Sequence, residues 1–267
     1  MDRKDRMDAV GASSLVVFSM ILAVNQVAIK ISNVGFQPVF SAGLRSLVAV
    51  VIVWLWIRMR GGAPVMSRRY WPAGLLMGAI FTVQFVFLFL SLDMTSVTRA
   101  AIIFYSMPLW LALGAHFLIP GERIGPGKAV GLTLAFAGVI WVLADREGGG
   151  GNRLLGDLFA LGAALSWAGI GLCARVTRLS EIKPESQLFW QVSVSALGLL
   201  ALSPLFGPFL RDLQPVHIAS LAFQSIVVVS GGFMFWFWLL TIYPAASVAS
   251  FSFLTPVFSV ALGAFLL

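Results

Sequence analysis

Apolar residues fill this chain in long blocks, and polar residues gather at the edges of the blocks rather than alternating with apolar ones. Nine such blocks can be marked, at about 11–31, 36–57, 71–92, 97–119, 127–144, 155–176, 187–206, 217–241 and 245–267. Runs of ~20 apolar residues are long enough to cross ~30 Å of hydrocarbon, the shorter ones with help from tilt and flanking residues. The pattern therefore predicts nine membrane-spanning helices. The connections are short, so consecutive spans alternate in direction.

The blocks are also written twice. One offset carries Phe85, Phe87, Phe89 and Leu92 onto Phe233, Phe235, Phe237 and Leu240, and runs on without a gap to carry Pro108 onto Pro256. A looser register pairs Gly11 with Gly156, Lys30 with Arg175, Pro38 with Pro184 and Arg45 with Gln191. Such self-similarity marks an internal repeat. The paired prolines fall in the fourth and ninth spans, so the unit is five spans long, and an odd unit enters the membrane from opposite faces in its two copies. The expected fold is an all-α polytopic membrane protein with two inverted five-helix repeats. Residues 1–147 form the first repeat, 148–153 a Gly-rich linker around Gly148 and Gly151, and 154–267 a second repeat lacking its last helix. Nine spans are thus present of an expected ten. Inverted repeats of this kind build many secondary transporters, with the substrate held between them near the midplane.

Composition narrows the class. The chain is 59% hydrophobic and only 11% charged, against about 25% charged in ordinary soluble domains, which excludes a water-soluble fold. The net charge of +7 is read by position, not as a nucleic-acid signal. Arg3, Lys4, Arg6, Arg58, Arg60, Arg68, Arg69, Arg123, Lys128, Arg175, Arg178 and Lys183 fall on the N-terminal side. Lys30, Arg99, Arg146, Arg153 and Arg211 fall on the other. The excess predicts a cytoplasmic N-terminus. Trp54, Trp56, Tyr70 and Trp71 flank the basic loops as headgroup-level rings do. The first span has no small-residue cleavage site and is read as uncleaved. Cys173, the one cysteine, lies in an apolar run and reads as a small buried hydrophobe. His116 and His217 lie near span ends and make no metal set, so neither a metal nor a cofactor is expected.

Ionised and polar groups inside the hydrocarbon are costly and need a partner or a wet cavity. Arg45 lies ~14 Å into its span at the helical rise. Two roles fit it: a donor fork for a substrate carboxylate, or a cap on helix carbonyls that locks the bundle. Gln187, Gln191 and Ser195, with Trp190 beside them, form one polar stripe on the seventh span, facing either a cavity or a neighbouring helix. Ser252, Thr255 and Ser259 form a weaker one, whose hydroxyls can also bond back to their own helix. Gln84 and Tyr105 are further cavity candidates. Pro108 and Pro256 each remove a backbone donor and are candidate gating kinks. Gly74 with Gly78, and Gly127 with Gly131, predict close helix contacts. Asp93, Glu122 and Asp157 fall at span ends, so facilitated diffusion, or coupling through such an acid, is expected.

Asn25, Val27, Ala28, Ile29, Lys30, Pro38 and Arg45 together resemble the first-helix pattern of the EamA family in the drug/metabolite transporter superfamily. Pro108, Gly121, Glu122, Gly131, Gly138 and Val139 resemble its second pattern, and Trp167, Arg175, Pro184 and Pro256 repeat parts of both in the second half. Two positions depart from it. Leu22 stands where the family has a tryptophan, and the closing Gly-Glu with its tenth helix is absent, which suggests a truncated chain. The resemblance implies a ten-helix transporter, often an exporter, of small polar metabolites such as amino acids. It adds Asn25 and Trp167 to the candidate substrate-binding residues. The expected setting is a monomer in a bacterial-type inner membrane, with the lipid bilayer and a small molecule as its partners and no nucleic acid. A non-transporting receptor or scaffold is the alternative. An intramembrane enzyme is disfavoured, since the chain has no Gly-x-Ser-x-Gly and no acid in mid-span.

Overall fold

The computed structural model describes residues 8–119, 124–144, 152–232 and 254–266, together with Phe235, Leu239, Ile242 and Tyr243. The helices are α1 (Ala9–Gly35), α2 (Pro38–Met59), α3 (Trp71–Met94), α4 (Val97–Phe104), α5 (Met107–Leu118), α6 (Pro126–Ala144), α7 (Asn152–Val176), α8 (Pro184–Leu202), α9 (Pro215–Ala222) and α10 (Leu254–Leu266). A π-helical stretch, Phe223–Gly232, extends α9. Six helical segments are long and apolar enough to cross a membrane, and three shorter apolar ones accompany them. Each of the nine expected blocks contains described helix. Gly148 to Gly151, Gly121, Glu122, Ser252 and all of the 233–238 aromatic run except Phe235 lie outside the described residues. Asn152 and Arg153 belong to α7, not to the linker in which they were expected.

Helix ends follow local chemistry. Asp8 caps α1 by accepting from the Gly11 amide at 2.8 Å, Gln37 caps α2 through the Phe40 amide, and prolines open α2, α8 and α9. Proline suits a first turn because its missing N–H would be unpaired there. The expected fourth span is two helices. Pro108 has no amide to donate to the Phe104 carbonyl, and its ring crowds that carbonyl, so α4 stops at Phe104 and α5 restarts at Met107. The Ser106 hydroxyl covers the break by donating to Ile103 O at 2.6 Å. Pro256 lies in α10, and the residues before Leu254 lie outside the described ones. Pro108 starts a helix rather than bending a continuous one.

α3 is the central rod, packed against α7 on one side and α8 on the other. Small residues allow the approach. A Cβ on Gly74 would lie 2.4 Å from the Trp190 ring, and one on Gly78 would lie 2.3 Å from Val194. The other predicted pair behaves differently. Among the described residues Gly127 and Gly131 on α6 face nothing within 4 Å, because α6 packs chiefly on α4 and α5 and turns Val130, Leu134 and Trp141 outward.

Each end of the bundle carries a strap from one half that grips a turn of the other. At the end bearing Asp93, residues 207–214 cross the α1–α2 turn. Gly207, at φ 97°, lets the chain reverse, Phe36 bridges Leu210, Gln37 N donates to Phe209 O at 2.9 Å, and Phe40 stacks on Phe209 at 4.8 Å. Arg211 then makes a two-pronged pair with Asp93 at 2.8 and 3.0 Å. At the opposite end, residues 61–67 lie on the α7–α8 turn. Val65 N donates to Ser186 Oγ at 3.2 Å, Trp190 Nε1 donates to Val65 O at 3.1 Å, and Arg69 pairs with Glu181 at 2.8 Å.

Arg99 and Asp157 stand near the starts of α4 and α7, where the sequence placed them, but they are buried rather than solvated. They are 6% and 1% exposed, and Arg99 Nη2 meets Asp157 Oδ2 at 2.6 Å, joining α4 to α7. Thr95 donates to the other carboxylate oxygen at 2.8 Å. Breaking a buried pair strands a charge and costs about 3–5 kcal/mol. Asp157→Ala is therefore expected to lower the melting temperature of the detergent-solubilised protein sharply. An unchanged melting curve would show that the pair carries no structural load.

Candidate substrate site

Arg45 sits about two turns into α2, and it is 7% exposed. Its guanidinium carbon lies 5.0 Å from the centroid of Phe85 and 5.8 Å from that of Phe89. These rings share a face of α3 with Phe81 because four-residue spacing stacks side chains on a helix. A cavity of about 10 Å³, lined by Arg45, Ser46, Ala49, Phe81, Phe85, Val192 and Val229, adjoins the guanidinium. That is room for about one water. Among the described residues Arg45 Nε and Nη1 have no hydrogen-bond partner, so capping of helix carbonyls through these atoms, one of the two roles foreseen for Arg45, is not seen there. The ring faces attract the cation without satisfying its N–H groups.

A second set of polar groups lies near the break between α4 and α5, where Tyr105 stands, with Gln26 on α1 and Thr255 on α10, helices that pack on one another and on α4. Gln26 is 3% exposed and Thr255 is fully buried, yet Gln26 Oε1 and Thr255 Oγ1 lack partners. Asn25 Oδ1 and Gln84 Oε1 are also buried and unpaired. Gln224, in the π-helical stretch, donates to Ser32 Oγ at 3.0 Å, while its Oε1 is unpaired. The buried inventory is thus rich in amide oxygens wanting donors, with Arg45 supplying donors that want an acceptor.

The seventh-span stripe is divided by the structure. Gln187 donates to Leu179 O at 2.8 Å and Ile182 O at 3.3 Å, and Trp190 bonds Val65 O, so both hold the strap end of the bundle. Ser195 donates to Ser46 Oγ at 3.1 Å, an α2–α8 tie beside the Arg45 cavity. Gln191 is half-buried. Trp167 is half-buried against the main core. Cys173 is a buried free thiol, and His116 and His217 accept from nearby loop amides at 3.1 Å. Among the described residues no group of three or more His, Cys, Asp or Glu could hold a metal ion. Sequence reasoning missed Gln26 and Gln224. Each is an amide within an apolar run, which was the available signal.

A polytopic helical bundle with an unpaired cation and unpaired amide oxygens at its centre has the makings of a membrane transporter. The sequence comparisons agree. The chain belongs to the EamA-like transporter family, whose model matches residues 9–144 and again 154–267. It is 27% identical over 285 residues to a "Probable amino-acid metabolite efflux pump" of Escherichia coli, covering 100% of this chain and 88% of that one. It is also 27% identical over 232 residues to "Aromatic amino acid exporter YddG" of Ancylobacter novellus, covering 85% and 78%. A protein of known crystal structure superposes with a TM-score of 0.65 at 22% identity, covering 94% of this chain and 87% of the other, which shows the shared fold. The chain is therefore a multi-pass membrane transporter and not an enzyme.

The geometry separates Trp190 from the central groups. Trp190→Phe keeps a ring against Gly74 and loses one hydrogen bond, worth ~1 kcal/mol. A small drop in melting temperature is expected, with the half-saturating substrate concentration unchanged. A raised half-saturating concentration at constant stability would instead place Trp190 in the substrate pocket.

Proposed function

We propose that this chain is a secondary transporter that exports small polar metabolites, amino acids foremost, by alternating access between two inverted repeats. The observation that carries the reading is Arg45, a buried cation with Nε and Nη1 unpartnered between aromatic rings. Holding an ionised group in hydrocarbon costs at least ~2.5 kcal/mol, and a carboxylate on the guanidinium fork is the ligand that recovers it. The unpaired oxygens of Asn25, Gln26 and Gln84 ask for donors, which an amino acid also brings. The substrate-binding set is Arg45, Asn25, Gln84 and Tyr105, with Trp167 and Gln191 at its edge. Pro108, at the α4–α5 break, and its repeat mate Pro256 are the gating points. Two separate matches to the family support a repeat in each half. The reciprocal straps support alternation, since each closes one end and one must release at a time. Basic residues at the strap end with Arg69 support a cytoplasmic N-terminus, in a cell membrane of the bacterial inner type.

Flux of labelled amino acids across vesicles containing the purified protein tests this. At least one is expected to move, and Arg45→Gln should cut its flux tenfold or more while leaving the melting temperature equal or higher, because an unpaired buried charge has been removed. Arg45→Lys, which keeps the charge but not the planar fork, should fall between. No flux of any amino acid would overturn the substrate class, and full flux in Arg45→Gln would remove Arg45 from the mechanism.

A further inference from the structure

We infer that residues 58–69, at the end of the bundle opposite Asp93, form a docking surface for the headgroups of anionic phospholipids, with Arg58, Arg60 and Arg68 the side chains that hold the phosphate. Such docking needs only that the chain spans a membrane, so it goes beyond the transport reading above and does not rest on it.

The two straps supply a comparison within the molecule. Gly61 at φ 73° and Gly207 at φ 97° are the positive-φ residues among those described, and the offset that pairs Pro38 with Pro184 also pairs these glycines. Each opens a strap that grips a helix turn of the other half. Backbone groups do the gripping in both: Val65 N and O at one end, Phe209 O and Arg211 N at the other. The charge differs. Residues 58–69 carry four arginines and no acid, whereas their repeat mates, residues 204–215, carry Arg211 beside Asp212. Holding the turn therefore does not call for the arginines. Glu181 takes Arg69 at 2.8 Å. Among the described residues Arg58, Arg60 and Arg68 meet no carboxylate, and all three are exposed.

The surroundings of these arginines fix the partner. Trp54, Met59, Val65, Met66 and Trp71 are exposed among them, so this rim suits the boundary between acyl chains and headgroups and not open water. The Arg58 guanidinium lies 5.6 Å from the Trp54 ring and that of Arg60 lies 4.4 Å from Trp56, contacts that attract the cations and leave N–H donors for another partner. Trp71 Nε1 donates to Met66 O at 3.1 Å, which fixes the strap against the start of α3 where Arg68 leaves it. A guanidinium fork matches phosphate oxygens, and clustered basic residues at a membrane face draw anionic lipid. A zwitterionic headgroup brings its own ammonium, which cancels much of the attraction. Three arginines without an acid therefore select a headgroup of net negative charge.

The test reads the rise in melting temperature of the purified full chain in neutral detergent as phosphatidylglycerol, or phosphatidylcholine of the same acyl chains, is added. Wild type is expected to gain more from phosphatidylglycerol, and high salt should shrink the difference by screening. Arg60→Gln with Arg68→Gln should raise the half-saturating phosphatidylglycerol concentration about tenfold or more and leave the response to phosphatidylcholine unchanged. Both arginines are exposed, so the melting temperature of this variant without lipid should match wild type. Arg60→Lys with Arg68→Lys, which keeps the charge but not the fork, should fall between. Arg178→Gln with Lys183→Gln removes the same charge from the neighbouring α7–α8 turn and should change little. Equal gain from both lipids in wild type, or equal loss from the two charge-removing pairs, would overturn docking at residues 58–69 and leave the arginines as topology signals alone. An equal rise with inorganic phosphate would make this a soluble-anion site and likewise overturn it. Flux is not read, so each of these failures leaves the transport reading standing.

Discussion

Hydrocarbon offers no hydrogen bonds, so polar groups in a membrane bundle must find partners within the protein. Most of the described groups do. Lys30 Nζ sits on the carbonyls of Leu92 and Thr95 at 3.0 and 2.6 Å, where the end of α3 presents partial negative charge. Asn33 donates to Phe89 O at 2.9 Å, and Arg99 has Asp157. Arg45 and several amide and hydroxyl oxygens do not, and Arg45 carries the charge among them. The bundle around it, with α3 and its phenylalanines, α8 and the π-helical stretch, is shaped to hold a charge whose Nε and Nη1 the protein itself leaves unsatisfied.

The ion pairs differ in a way that matters for motion. The Arg99–Asp157 pair is nearly dry, with side-chain exposures of 8% and 1%, and behaves as a fixed strut between α4 and α7. The strap pairs are wet. Arg211 and Asp93 are 40% and 23% exposed, and Arg69 and Glu181 are 57% and 41%. Exposed pairs contribute only ~0–1 kcal/mol. The ion pairs of the straps are thus weak and that of the interior strong, the distribution of stiffness that the proposed alternate opening of two ends calls for. The α4–α5 break at Pro108 lies in the same bundle.

Much of this was legible before any coordinates. A charge deep in an apolar block marks itself, and so does a proline in mid-span; Arg45 and the α4–α5 break were found that way. What failed was inference from a shared face. Gln187, Trp190 and Ser195 do lie along one helix, but neighbouring residues on a face meet different neighbours along its length, and periodicity does not say which. Gln187 met backbone carbonyls of the α7–α8 turn, Trp190 a carbonyl of the strap that lies on it, and Ser195 met Ser46. Gln26 was passed over for Asn25, and although adjacent residues turn ~100° apart, both are buried with an unpaired oxygen. Gly127 and Gly131 had the spacing for close packing without a helix to receive them, while Gly74 and Gly78 had α8. Arg99 looked like a loop charge because its partner, Asp157, lies in the other half of the chain.

The central claim is that Arg45 is kept unpaired for a substrate carboxylate. The most direct measurement is an experimental structure of the full chain with a transported amino acid bound. The account predicts carboxylate oxygens ~2.7–2.9 Å from Arg45 Nε and a terminal guanidinium nitrogen, with the small cavity beside Phe85 opened to receive them. A bound amino acid whose carboxylate lies elsewhere, with Arg45 still enclosed by Phe85 and Phe89, would contradict it.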